Sequence, residues 1–177
     1  DLINGLGGND TLRGLDGHDT LDGGAGNDLI DGGTGIDRVS YATALSGVAV
    51  SLANAAAQFT SGGGTDTLIS IEHLEGSGHN DVLTGTTDAN LILGLGGNDS
   101  IDGDAGNDTL QAGAGNDNIL GGGDNDSIDP GEGNDTVSAG DGNDTVDGGS
   151  GADNDSLDGG EGIDRISYAS FNTPNGL

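Results

Sequence analysis

The chain has 177 residues, with 31 acidic against 3 basic side chains, a formal charge of -28 and 39 glycines, which excludes an ordinary globular core. Such a charge repels nucleic acid phosphates and anionic membrane surfaces, so neither is expected as a direct partner. With no cysteine there is no disulfide framework, zinc cluster or thiol chemistry, and the most apolar stretch, Gly47 to Ala57, is too short to insert across a bilayer. The acid comprises 27 Asp and 4 Glu with no Lys, whereas a merely solubilising surface mixes Glu with Lys. No signal peptide is visible at Asp1, and without a starting Met the chain reads as part of a longer one.

In chain order, a nine-residue period begins at Gly5 with GLGGNDTLR, GLDGHDTLD, GGAGNDLID and GGTGIDRVS. Residues 41–75 break it. Val48, Val50 and Leu52 alternate with small residues there, and Ile69, Ile71 and Leu74 follow a Gly62 to Gly64 hinge. The segment therefore reads as extended strands that continue or plug the stack with a calcium-poor core. From Gly76 the period resumes as GSGHNDVLT and runs on, with two extra residues in GGSGADNDSLD, to GGEGIDRIS. Residues 159–170 repeat 32–43 at an offset of 127, so residues 168–177 read as the start of a second interruption. Asp1 falls where the sixth place of a preceding unit would lie. Both ends are those expected of a piece of a longer array.

Each place in the unit has a physical reading. Place four is Gly except at His79, Asp88 and Asp124, residue types that tolerate positive φ, so it calls for a left-handed backbone. Place one accepts Ala112, Ala139 and Pro130, which puts it at negative φ with no need of an N–H bond. Place eight is aliphatic in all fourteen units and mostly flanked by polar residues, giving a very short strand with one inward face. Two units per coil make an 18-residue turn of a parallel solenoid with two thin sheets. A core one aliphatic residue deep cannot by itself offset the entropy of ordering this backbone, so the free chain is expected to be unfolded.

Stacking at spacing 18 also aligns the place-six acids into ladders. Asp10 meets Asp28, Asp19 meets Asp37, and two longer rows are Asp81, Asp99, Asp117, Asp135 and Asp108, Asp126, Asp144. Carboxylates about 4.8 Å apart repel unless a cation lies between them. A hard cation taking about six to eight oxygens, some from the backbone of a Gly-rich turn, is calcium rather than magnesium.

These units resemble the nonapeptide G-G-x-G-x-D-x-U-x of the RTX (repeats-in-toxin, hemolysin-type calcium-binding) family over residues 1–40 and 76–167. The resemblance implies an all-β, right-handed parallel β-roll in which calcium is held between turns by place-six carboxylates and turn carbonyls. Carried over residue by residue, the carboxylates are Asp10, Asp19, Asp28, Asp37, Asp81, Asp99, Asp108, Asp117, Asp126, Asp135, Asp144 and Asp164. The carbonyls are those of Gly94, Leu95, Gly96 and Gly97; Gly103, Asp104, Ala105 and Gly106; Ala112, Gly113, Ala114 and Gly115; Gly121, Gly122, Gly123 and Asp124; and Pro130, Gly131, Glu132 and Gly133. Alternate carbonyls face opposite ions, Leu95 and Gly97 one way, Gly94 and Gly96 the other. Ions on the order of ten would leave a formal charge of about -8. The resemblance further implies a secreted, extracellular module, exported by type I secretion machinery and joined to neighbouring roll segments of the same chain.

Departures from the pattern mark weak points. Asn90 replaces a place-six acid, Asp153 and Asp155 compete for one place, and His79 stands at a Gly place. Place-nine Asp22, Asp31, Asp102, Asp129, Asp147 and Asp158 read as a solvated face. His18, His73 and His79 recur at no fixed place and read as turn or surface residues. Arg38 and Arg165 read as local charge partners of Asp37 and Asp164. An adhesive or surface-layer roll and a non-catalytic accessory domain of a polysaccharide-active enzyme are the alternatives. Ice binding would need Thr at place three, which runs Gly7, Asp16, Ala25, Thr34. No acid, base and nucleophile converge, so catalysis would belong to another domain.

Overall fold

The structure is a computed structural model that describes residues 1–60, 62, 64–149 and 153–168. All but Tyr168 of the expected second interruption lies outside the described residues. In chain order the strands are β1 (Leu2–Asn4), β2 (Thr11–Gly17), β3 (Thr20–Asp22), β4 (Leu29–Gly35), β5 (Arg38–Ser40), β6 (Ala49–Ser51), β7 (Gln58–Phe59), β8 (Thr65–Ile69), β9 (His73–Glu75) and β10 (Val82–Thr86). They continue as β11 (Leu91–Leu93), β12 (Ser100–Asp104), β13 (Thr109–Ala114), β14 (Asn118–Gly123), β15 (Ser127–Glu132), β16 (Thr136–Asp141), β17 (Thr145–Asp147), β18 (Ser156–Asp158) and β19 (Arg165–Ser167). No helix occurs among the described residues, so none is long and apolar enough to cross a membrane.

The fold is the expected parallel β-solenoid of about 18 residues per coil. Leu91 pairs with Thr109, Thr109 with Ser127 and Ser127 with Thr145, each 18 residues on. One face is a single nine-stranded sheet, β1-β3-β5-β9-β11-β13-β15-β17-β19. The opposite face, expected to be one sheet, is two: β2-β4-β8-β7 and β18-β16-β14-β12-β10-β6. Between the faces lies one row of place-eight side chains. Leu21, Ile30, Leu83, Ile92, Ile101, Leu110 and Ile119 are fully buried, because alternation leaves one inward residue per three-residue strand.

Residues 41–75 form one enlarged coil that explains the split. β9 takes its regular place between β5 and β11, so the long sheet passes through unbroken. On the other face, β8 stacks on β4, whereas β6 stacks on β10 of the following coil. Between them β7 turns back antiparallel on β8. The buried Gln58 ties this hairpin to β6, its Oε1 accepting from the Ser51 N–H at 2.8 Å and its Nε2 donating to the Ser51 carbonyl at 3.0 Å. Val48, Val50, Leu68, Ile71 and Leu74 point into the core. Ile69 is exposed, because Leu68 holds the register position opposite Ile30.

The turns carry two left-handed positions per unit where the sequence reading identified one. Place four is left-handed as expected at Gly97, Gly115, Asp124 and Gly133. Place two is as well, at Leu6, Leu15, Leu95 and Asp104 with φ of 69° to 75°, and at Gly113, Gly122 and Gly131. A leucine there has its Cβ crowded against its own backbone, at about 1–2 kcal/mol. Replacing the part-exposed Leu95 by Gly is expected to stabilise the folded chain by about 0.5–1 kcal/mol, after the entropy glycine loses on folding, as read by denaturant titration. The expectation that His79 and Asp88 share the left-handed conformation fails. Neither has positive φ, because their turns are rebuilt around Ser77 and Thr86. The place-one N–H is also used where it exists: Gly5 donates to Asp22, Gly76 to Leu93 and Gly94 to Gln111, each at 2.8 Å. Pro130 forgoes that bond rather than showing it to be dispensable.

Candidate metal centre

Each regular coil places its place-six aspartate where the chain leaves the turn and enters a strand. The backbone N–H of one aspartate donates to Oδ1 of the aspartate one coil later. The pairs Asp81 to Asp99, Asp99 to Asp117, Asp117 to Asp135 and Asp126 to Asp144 are all 2.8 Å, and Asp10 to Asp28, Asp19 to Asp37 and Asp108 to Asp126 are 2.8 to 2.9 Å. Oδ1 is thereby consumed and the carboxylate orientation fixed. Oδ2 is not: in Asp10, Asp19, Asp28, Asp37, Asp99, Asp108, Asp117, Asp126, Asp135 and Asp144 it is buried without any hydrogen-bond partner.

A buried carboxylate oxygen without a donor is costly, and ten of them in register need a cation. The side chains respond as that predicts. Burial pushes the carboxyls of Asp99 and Asp108 up to about 7 and those of Asp117 and Asp126 up to about 6. The single backbone N–H each accepts lowers the value only in part, and neighbouring aspartates of the row raise it further. Asp28 and Asp135 shift the same way, burial again leading.

The turn carbonyls line the same rows. The expected turn residues stack in register: Gly96 on Ala114, Gly113 on Gly131, Ala114 on Glu132, Ala105 on Gly123. Place-two carbonyls point toward the following coil, where Leu95 accepts from the Ala114 N–H at 3.1 Å. Place-three carbonyls point toward the preceding coil, where Ala114 accepts from Gly97 and Glu132 from Gly115, both at 2.8 Å. Each keeps a second lone pair. Among the described residues no three His, Cys, Asp or Glu side chains converge on one point. An ion between coils would therefore take at most two carboxylates, and backbone oxygens would complete the set, a donor chemistry that suits calcium.

Two candidate carboxylates differ. Asp81 Oδ2 accepts from the Ser77 N–H at 2.6 Å, and its Oδ1 from the Ser77 hydroxyl at 2.8 Å and the Val48 N–H. Asp164, in the last described coil, is half-buried and accepts from the Asp144 N–H at 3.1 Å. Asp155, not Asp153, holds the place-six register, taking the Asp135 N–H at 3.0 Å. Asp1 also stands in register, its nitrogen 2.7 Å from Asp19 Oδ1.

Three working residues escaped the sequence reading. Asn occupies place five in ten of the fourteen units, and its Oδ1 accepts the N–H of place five one coil later: Asn80 from Asn98, Asn98 from Asn116, Asn116 from Asn134, each at 2.8 Å. This ladder runs opposite in direction to the aspartate ladder beside it. His18 substitutes in it, accepting the Ile36 N–H at 3.0 Å. Asp66 and Glu72 within the enlarged coil extend the acid rows, accepting the N–H groups of Asp28 and Asp37 at 3.0 and 2.8 Å. No period marks either residue. The place-nine acids are more than a solvated face: Asp22, Asp102 and Asp158 accept the N–H of the left-handed place-two residue at 2.9 to 3.1 Å, and Asp22 is buried. Arg38 reaches Glu75 across the strand pair, at 3.8 Å, rather than Asp37.

Compared with known families, the chain matches the model of the RTX calcium-binding nonapeptide repeat in four copies, over residues 4–39, 75–110, 103–137 and 131–154. No curated protein matches it.

Proposed function

Because the chain belongs to the RTX calcium-binding nonapeptide repeat family, we propose that it is a structural module whose folding is switched on by calcium outside the cell. The ten buried, partnerless Oδ2 atoms of the place-six aspartates carry this reading. Bound calcium supplies two positive charges and a demand for about six to eight oxygens. The rest belongs to the chain. Place-six carboxylates, pre-aimed by the N–H bond to Oδ1, present Oδ2 from consecutive coils. Turn carbonyls of the 94–97, 103–106, 112–115, 121–124 and 130–133 stretches complete the oxygen set, for ions on the order of ten. Segments 1–40 and 76–167 hold the ions and 41–75 joins them. Since the oxygens are assembled only by stacking, binding and folding are one event. An unfolded chain at low cytosolic calcium suits passage through a narrow type I secretion conduit, and millimolar calcium outside then closes the roll. The module itself is non-catalytic in this reading.

Circular dichroism during a calcium titration tests it. At pH 7.5 the chain should be coil in excess chelator and gain sheet signal at roughly 10⁻⁴–10⁻³ M calcium, with magnesium a poor substitute. A sheet spectrum in excess chelator would overturn it.

A further inference from the structure

No place-six group between Asp37 and Asp99 leaves a buried oxygen without a partner, although such groups stand on both sides of that stretch. The protein itself satisfies each one. Asp66, which receives the Asp28 N–H on Oδ1, has its Oδ2 taken by the Tyr41 hydroxyl at 3.1 Å and the Thr60 hydroxyl at 3.0 Å, and all three residues are buried. Asp81 is satisfied through Ser77 and Val48. Asn90 carries no charge. Its Oδ1 accepts the Thr86 N–H at 2.6 Å, and its Nδ2 donates to the Glu72 carbonyl at 2.7 Å.

The turns change in the same stretch. Ser77 and Thr86 stand at place two, and their hydroxyls accept the N–H groups of His79 and Asp88 at 3.1 and 3.2 Å. Local side-chain bonds thus replace the left-handed, glycine-lined turn of the regular units. All three carboxylate rows are interrupted together. The row of Asp10 and Asp28 ends at Asp66, that of Asp19 and Asp37 stops at Glu72 and restarts at Asp108, and that of Asp99 begins beyond Asp81.

We infer that residues 41–93 form an ion-independent junction that divides the roll into two calcium arrays, one at 1–40 and one at 94–167, each binding and folding as its own cooperative unit. The long sheet keeps the two in mechanical register through β9, but no row of partnerless carboxylates crosses. An ion bound in one array therefore relieves no charge in the other. This inference rests on the calcium reading above.

Hydrogen exchange followed by mass spectrometry on the full chain, titrated with calcium, tests it. Asp117→Asn should raise the calcium midpoint for protection of the 100–147 amides by about threefold or more, through loss of a charged ligand, and leave that of the 11–35 amides unchanged. Asp28→Asn should do the reverse. Equal shifts in both blocks for either variant would overturn the junction and leave calcium-driven folding standing. A wild-type chain whose amides gain no protection with calcium would overturn the calcium reading, and the junction with it.

Discussion

Stripped of calcium and then brought from pH 7.5 to pH 5, the chain is expected to regain part of the sheet structure that chelation removes. The place-six carboxyls sit in the folded roll at values raised from 3.8 to about 7 for Asp99 and Asp108 and about 6 for Asp117 and Asp126. Between 3.8 and those values the folded chain binds protons that the unfolded chain has released. The stabilisation is therefore fully present below 3.8 and is lost as pH rises through 6 to 7. A proton on Oδ2 removes the buried charge, as an ion would, and supplies none of the bridging between carboxylate and carbonyl. Acid should accordingly restore structure less completely than calcium does. In the presence of calcium the sign reverses, because protons compete for the same oxygens, and the calcium midpoint should rise as pH falls from 7 to 5. Far-ultraviolet circular dichroism across a grid of pH and calcium measures both effects. A chelated chain whose sheet content stayed flat from pH 7.5 to 5 would show that the buried carboxylates do not hold the roll open.

The legible part of this molecule is what the nine-residue period repeats. Coil length, the inward row of Leu, Ile and Val, and the register of Asp99 with Asp117 and Asp135 follow because strict repetition forces every place into one environment. Less legible is what depends on direction. Periodicity puts aspartates one above another without saying that the N–H of each earlier one takes Oδ1 of the later and leaves Oδ2 bare. The second left-handed position was hidden because Leu6, Leu15 and Leu95 occupy it, and leucine argues against positive φ. The 41–75 coil was hardest to read. Asp66 does the work of a place-six acid at an offset of 38 from Asp28, which no period predicts. The Tyr41 and Thr60 hydroxyls that satisfy it come from positions with no counterpart in the repeat.

Gly133→Ala is expected to destabilise the calcium-loaded chain by about 3 kcal/mol or more, whereas Gly123→Ala changes it little. Both lie in turns of adjoining units, and composition does not separate them. Gly133 holds φ at +138°, outside the region open to alanine, and an added Cβ would run into the Gly115 carbonyl oxygen of the preceding coil. That contact is backbone on backbone within a stack locked by the Gly115 N–H bond to Glu132, so neither partner can swing away as a side chain would. Two costs then add, a forbidden φ and a separation of coils. The separation would also part the two coils whose oxygens surround the ion, so the calcium midpoint should rise with the loss of stability. At Gly123 the φ is not left-handed and an added Cβ meets nothing within 4 Å. Alanine already stands at the same place in Ala105 and Ala114. Reduced freedom of the unfolded chain could even stabilise the Gly123 variant by about 0.4–1 kcal/mol. Denaturant titration of both variants at saturating calcium separates the cases. Equal losses would mean that the glycines serve the flexibility of the turn in general, and similar small effects would mean that coil spacing is not set by the left-handed place-four backbone.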